Sequence, residues 1–305
     1  SHVRGLPEFA GELPVAALAE EIDSAGDARV RALVTIAGNP VLSTPNGARL
    51  EKAIEGLDFV VSIDIYRNET SRLADVILPT TAPLERSNYD IVFHAFSVRN
   101  HAKWSPPALP KPADAKHGWE IALEIAARVN GATPAQLDEM LFAGLLGNAL
   151  RSCPGVSEAD ARAKLGSEPG PDRLVDLMLR AGPYGDRFDD AADGLSLAKL
   201  KIAEHGVDLG PLAARLPAML ATGSGRIELA PDLLVGDVPR LREALERRRG
   251  RDAFVLIGRR HLRSNNSWMH NLPALVKGKD RCTIQIHPDD AARLGLGEGG
   301  NARVT

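Results

Sequence analysis

The stretch that decides the fold is RALVTIAGNPVLSTPNGARL, residues 31–50. Its first half is apolar and β-branched, and it ends in glycine. That pattern predicts a buried strand over Val30–Gly38. Its second half opens a helix, and Gly47–Leu57 sets Leu50, Ala53, Ile54 and Leu57 on one side of it. Between the two sits Gly38-Asn39-Pro40. Gly38 lets the backbone turn sharply and come close to a ligand. Asn39 can hydrogen-bond a turn or a ligand, and Pro40 fixes the exit.

Working outward, Asp58–Asp64 predicts a second strand. Glu69–Pro79 predicts a short helical turn and then a third strand, Val76–Leu78. Pro14–Ile22 spaces its apolar residues as a helix. Strands joined through helices pair in parallel with right-handed crossovers. The fold class is therefore α/β, with half of a doubly wound parallel sheet. In such sheets the ligand crevice lies at the carboxyl ends of the strands, where both Gly38 and Asp64 fall.

Beyond the sheet, Trp104–Asp114 is too rich in proline for regular structure and reads as an extended crossing segment. Helices follow at Gly118–Val129 and after Thr133-Pro134, an N-cap with proline at the first helical position. To about Gly210 the pattern stays helical with glycine breaks; Ser157 caps Glu158–Leu165, and Pro171–Leu179 is amphipathic. His205–Gly210 reads as a turn. Gly225–Pro231 reads as a short strand and Asp237–Arg251 as a charged connector helix. Ala253–Arg260, Cys282–Pro288 and the residues up to Thr305 read as strands around a short helix. The expected partition is an αβ domain over 1–131, a mainly helical insert and connector over 132–250, and a β domain beginning in 251–305. Because the last expected strand stops at Thr305 with its sheet unpaired, this reading expects a truncated chain.

Composition excludes several classes. The 305 residues are 44% hydrophobic and 25% charged, with a formal net charge of -3, so no global basic field draws nucleic acid or anionic membrane. Two distant cysteines, Cys153 and Cys282, make neither a disulfide framework nor a CxxC metal site. A reducing, cytoplasmic compartment is the expectation. No apolar run approaches the roughly 20 residues of a membrane span. There is no P-loop, no GxGxxG after a strand and no GxSxG elbow. His261, His270 and His287 lack a metal spacing, so no metal ligand is assigned.

Two places carry candidate binding chemistry. Asp64 ends the second strand, and a carboxylate matches the two donors on the N1/N2 edge of guanine. On residues alone, a turn cap explains Asp64 equally well. Glu69 and Thr70 begin a helical turn whose free N–H groups can face an anion or a base. The second place is RRHLRSNNSWMHN, residues 259–271. It has no helical or strand period and reads as a loop. Its donors, Arg259, Arg260, Arg263, Ser264, Asn265, Asn266, His270 and Asn271, suit phosphates and a heteroaromatic ring, and Trp268 offers a stacking face. A polar surface loop tied down by its own amides is the competing reading. Asp75 reads as a structural hydrogen-bonder, Glu85 as either a residue that orients a loop or, more simply, a solvated one, and Arg99 as either a phosphate contact or a surface ion pair.

Four blocks occur in one order: IAGNPVLSTPN, VVSIDIYRNETSRLADVILPTTAPLER, GRRHLRSNNSWMHN and CTIQIHPDDAARLGLGEGGNARV. Together they resemble the C-terminal half of the molybdopterin oxidoreductases, the bis-molybdopterin-guanine-dinucleotide family of formate dehydrogenases, nitrate reductases and dimethyl sulfoxide reductases. The resemblance covers about residues 32–110 and 254–305 and is weak over the helical middle. It implies an αβ domain holding the guanosine end of a pterin cofactor, and the start of a C-terminal double-psi β-barrel. It implies Gly38, Asn39, Pro40, Asp64, Glu69, Thr70 and the 259–271 loop as cofactor contacts. It implies a cofactor with molybdenum or tungsten in the whole enzyme, which does electron or oxygen-atom transfer. The metal ligand, and an iron–sulfur cluster where there is one, would belong to a missing N-terminal half. No residue of this chain is assigned as catalytic, and the chain alone is expected to be inactive. The expected partners are that N-terminal half and a redox partner subunit. A cofactor-free structural subunit of a redox complex is the alternative.

Overall fold

A computed structural model describes residues 2–248, 254–264, 266, 268–279 and 281–304. In chain order its main elements are α1 (Leu18–Asp23), β1 (Ala32–Ile36), α2 (Pro40–Ser43), α3 (Gly47–Glu55), β2 (Phe59–Ile63), β3 (Val76–Leu78), β4 (Asn88–Tyr89), β5 (Arg99–Ala102) and β6 (Trp104–Ser105). Then come α4 (Gly118–Val129), α5 (Pro134–Leu150), α6 (Glu158–Leu165), α7 (Pro171–Ala181), α8 (Leu197–Ile202), β7 (Val207–Pro211), α9 (Asp232–Val235), α10 (Val238–Arg248), α11 (Pro273–Val276) and α12 (Pro288–Arg293). The chain forms two compact units. One comprises residues 1–29, 39–55 and 256–305, and the other residues 30–38 and 56–255.

In the larger unit, β1, β2 and β3 form a parallel sheet in that order, with Ala32 opposite Phe59 and Val61 opposite Val76. This is the α/β arrangement expected from alternating strand and helix signals. Two buried hydroxyls sit side by side in it, Thr35 Oγ1 donating to Ser62 Oγ at 3.0 Å. Asp75 is the structural hydrogen-bonder the sequence suggested: its carboxylate accepts the Val60 N–H at 2.7 Å. β1 is less buried than its composition suggests, for Val34 and Ile36 remain 48% and 63% exposed. An apolar run selects a strand but not how many of its faces are covered.

The helical part of this unit follows its local signals closely. Thr133 Oγ1 caps α5 by accepting the Gln136 N–H, and Ser157 caps α6 through the Asp160 N–H. Phe142, Leu146, Cys153, Leu165, Leu177 and Phe188 form one core among α5, α6 and α7. Ala102, Val175, Leu179, Leu195 and Leu200 form a second. A charge cluster is buried beside them. Arg180 donates to Asp176 and Asp190 at 3.1 Å and to Asp186 at 2.8 Å, while Asp176 also accepts the Leu197 N–H. Burial alone would lower the Arg180 pKa, but the charge of Asp176, with Asp190 and Asp186, holds it above its ordinary value. Gly185 passes so close to this helix end that a Cβ there would lie 2.1 Å from the Arg180 carbonyl oxygen.

Two short antiparallel ladders were missed by the sequence reading. β4 pairs with β6, and β5 pairs with β7. Residues 207–211 are therefore a strand, not a turn. Their partner lies about a hundred positions upstream, beyond the reach of any local pattern. Arg99 pairs across this ladder with Asp208 at 2.6 Å, so its surface ion-pair reading is the one observed. Glu85 is not simply solvated: its carboxylate accepts the Ala82 N–H at 2.8 Å.

In the smaller unit α1 packs on α3, whose buried face is Leu50, Ala53 and Ile54. Arg4 and Arg49 reach Glu20, Arg4 through two bonds of 2.6 and 2.7 Å. Gly47 is required by close approach, since a Cβ would lie 2.0 Å from the Val41 carbonyl oxygen. The segments 254–260, 281–287 and 301–304 run without ladder partners among the described residues, and Leu256 and Ile257 are 73% and 80% exposed. The strands expected there, and the one at Gly225–Pro231, are not formed. Thr222 closes the latter as a turn by donating to the Arg226 carbonyl at 2.7 Å. Alternation makes a segment able to pair but does not supply its partner.

Candidate functional site

At the carboxyl end of β1 the backbone turns through a left-handed residue. It is Ala37, with φ 49°, rather than Gly38. The Ala37 N–H extends the sheet ladder to the Ile63 carbonyl at 2.9 Å. A non-glycine residue held at positive φ costs about 1–2 kcal/mol, which places strain at the ligand end of the sheet. Asn39 is buried, and its carbonyl accepts from Leu42 and Ser43 at the start of α2. Pro40 takes the first helical position as expected.

At the carboxyl end of β2, Asp64 is 8% exposed. Its Oδ1 accepts the Tyr66 N–H at 2.9 Å and its Oδ2 accepts the Asn68 side-chain amide at 3.0 Å. Asn68 was not singled out from sequence, yet it organises the loop. Its Oδ1 accepts the N–H groups of Thr70 and Ser71 at 3.0 and 2.9 Å, and its own N–H donates to Ser71 Oγ. Ser71 Oγ in turn donates to the Tyr66 carbonyl at 2.9 Å. The expectation of a free Thr70 N–H is therefore corrected: it is already taken, and Thr70 is 1% exposed. The signal for Asn68 was its type, since an asparagine side chain readily accepts the backbone N–H two residues on, here that of Thr70. Glu69 presents its carbonyl to Arg72 Nε at 3.3 Å.

Asp64 thus does the turn-capping work its neutral reading foresaw, but that work does not exhaust it. A carboxylate has about four acceptor positions, and two are used. No cation pairs with it among the described residues. A buried carboxylate at a strand end, held in place by neutral donors, fits a ligand edge that presents paired N–H groups.

The loop at 259–271 is irregular, as expected, up to a short 3₁₀ turn over Trp268–Asn271. His261 and Ser264 face each other across an isolated bridge, and the Ser264 N–H donates to the His261 carbonyl at 3.0 Å. The Arg263 N–H donates to His261 Nδ1 at 3.1 Å, and Ser264 Oγ lies 3.1 Å from His270 Nε2. Self-bonding therefore orders part of the loop. Arg259, Arg260, Arg263 and Asn266 remain exposed. Asn265 lies outside the described residues. Among the described residues no His, Cys, Asp and Glu cluster can hold a metal ion, and no helix is long and apolar enough to cross a membrane.

Residues 9–128 match the molybdopterin oxidoreductase model, and residues 254–305 match the molydopterin dinucleotide binding domain. The chain belongs to the molybdopterin oxidoreductase family. Among its family relatives, the assimilatory nitrate reductase catalytic subunit of Bacillus subtilis is 32% identical over 35% of this chain and 14% of its own length. The F420-dependent formate dehydrogenase subunit alpha of Methanocaldococcus jannaschii is 32% identical over 36% of the chain and 16% of its own. The NADPH-Fe(3+) oxidoreductase subunit alpha of Geobacter sulfurreducens is 25% identical over 96% of the chain and 26% of its own length. The chain thus spans about a seventh to a quarter of these family members. Both matched regions contain the candidate contacts, Gly38 to Thr70 in the first and the 259–271 loop in the second. The dinucleotide-binding match implies a molybdopterin cofactor for the family architecture.

Proposed function

We propose that this chain forms part of the cradle for a molybdopterin guanine dinucleotide in a larger oxidoreductase. The observation that carries the reading is Asp64: buried, at the carboxyl end of β2, without a cationic partner among the described residues, and with acceptor positions left over. Asp64 would receive the N1 and N2 donors of guanine, and the Gly38-Asn39-Pro40 turn and the Glu69-Thr70 turn would each serve as cofactor contacts. Arg259, Arg260 and Arg263 would meet phosphates, while Ser264, Asn265, Asn266, Trp268, His270 and Asn271 would serve the pterin edge and face. The bound group supplies metal-centred electron or oxygen-atom transfer. This chain's residues bind and orient it and hold no assigned proton or nucleophile.

The same reading includes an N-terminal partner region with the metal ligand, a C-terminal double-psi barrel opening after residue 251, molybdenum or tungsten as metal, and a cytoplasmic location.

The test uses the whole protein. Asp64→Asn keeps the Tyr66 cap through its remaining carbonyl but turns one acceptor oxygen into a donor facing donors. A hydrogen bond to a charged group is worth about 1.5–3 kcal/mol, so retention of the dinucleotide should fall roughly tenfold or more. GMP released by acid hydrolysis, per mole of protein, reads this directly. Asp75→Asn is the control, because Asp75 serves the backbone of β2. Wild-type GMP content in Asp64→Asn removes Asp64 from the site; no GMP or metal in the unaltered protein, from a host that makes the cofactor, favours the cofactor-free structural subunit.

A further inference from the structure

A cavity of about 310 Å³ opens in the larger unit beside β5 and α7, and it shares no residue with the cofactor contacts proposed above. Leu179 and Leu209 are among the apolar side chains that line it; Tyr89, Asp90, His94, Asn100, His101 and Tyr184 supply the polar ones. The His94 and His101 rings meet edge to face, 4.6 Å between centroids, and Tyr89 meets His94 in the same manner at 5.3 Å. His101 Nδ1 lies 3.4 Å from the Arg99 carbonyl, which leaves Nε2 free. The two phenol hydroxyls and both His94 ring nitrogens have no hydrogen-bond partner among the described residues. Polar tips without internal partners, converging over an apolar wall, are the usual make-up of a small-molecule site.

We propose that this cavity binds a small carboxylic acid, with its apolar body against Leu179 and Leu209 and its carboxylate received by the His94–His101 pair. The choice of ligand class follows from charge. No lysine or arginine lines the cavity, so a phosphate dianion finds no permanent counter-charge. A cation would meet two imidazoles and only Asp90, whose Oδ1 is already used by the N–H groups of Val92 and Phe93. A monoanion instead recruits its own counter-charge by drawing a proton onto an imidazole.

The charged and titratable groups around His94 are Asp90 on its own loop, His101 and Arg99 on β5, Asp208 on β7 paired to Arg99, and the two tyrosines. Burial, and then His101, keep the His94 pKa below its ordinary value against the pull of Asp90. Without ligand His94 is thus biased toward its neutral form. Carboxylate binding takes up a proton, so affinity rises as pH falls through the histidine range.

The test titrates the full 305-residue chain with 2-naphthoate and, separately, with uncharged 2-naphthamide, following ligand fluorescence. Expected is saturable naphthoate binding, roughly tenfold tighter near about pH 6 than near about pH 8, with the amide at least about tenfold weaker at the lower pH. His94→Gln should remove the pH dependence and about tenfold of the affinity. His101→Gln carries the same expectation from a strand edge, which keeps the test alive if one variant does not fold. Equal binding of the amide, no saturable binding at millimolar naphthoate, or a wild-type pH profile in a folded variant overturns the proposal.

Discussion

The molecule contains two settings for a buried carboxylate, and they differ in what they leave available. Asp186 and Asp176 meet Arg180, and each also accepts one backbone N–H, Asp186 from Phe188 and Asp176 from Leu197. Each carboxylate of that cluster has a cationic partner. Asp64 is buried to a similar degree as Asp176, but it meets only two neutral donors. Its charge is oriented without being cancelled. Under the proposed function, a folding role and a binding role separate by the identity of the partner, not by depth of burial.

The largest expected effect comes from opening the Arg180 cluster. Arg180→Leu strands the Asp176 and Asp186 carboxylates inside the protein and should destabilise the larger unit by about 3–5 kcal/mol. Urea unfolding followed by far-ultraviolet circular dichroism measures it; a loss below about 1 kcal/mol would show that water reaches the cluster freely. Asp64→Asn should do the opposite, costing the isolated chain little stability while releasing the dinucleotide from the whole protein. If it unfolds the chain as Arg180→Leu does, the two settings are one and the comparison fails.

Smaller effects sharpen the picture at the sheet end. Ala37→Gly relieves the positive φ, worth about 1–2 kcal/mol, but loosens the unfolded chain by about 0.5–1 kcal/mol. The net expectation is a gain of about 0.5 kcal/mol in thermal unfolding. A loss would mean that the Ala37 methyl packs favourably. Smallest of all, Arg99→Ala breaks a fully exposed pair with Asp208 and should leave the unfolding midpoint unchanged at physiological salt. A clear shift would mark the β5–β7 ladder as dependent on that charge.

How much of this was legible follows the range of the interactions. β1, β2 and β3, and helices α4 to α7, announce themselves because period, caps and glycine breaks are local. Thr133-Pro134 alone marks the start of α5. The β5–β7 ladder was invisible because Arg99 and Asp208 are neighbours only in space. The strand expected at 282–288 was read from alternation and that at 253–260 from its apolar run; neither pattern encodes what pairs with the edge. At the candidate site, Asp64 was legible as a carboxylate at a strand end. The glycine of the first turn drew attention away from Ala37, where the left-handed conformation sits. Asn68 was passed over because its value lies in four bonds within its own loop rather than in its chemistry toward a ligand.

The β5–β7 ladder has one more consequence, which concerns modularity. Antiparallel neighbours lie about 4.8 Å apart, so the segment between Ala102 and Val207 leaves and re-enters the unit at nearly one point. Within that segment β6 pairs back to β4, the Thr81 N–H donates to the Lys116 carbonyl, and the Leu84 carbonyl accepts from Ala108 and Leu109. Any replacement of this segment must therefore keep those ties to the residues that follow β3 and again cover Ala102 and Leu209, which face it from the two sides of the stem.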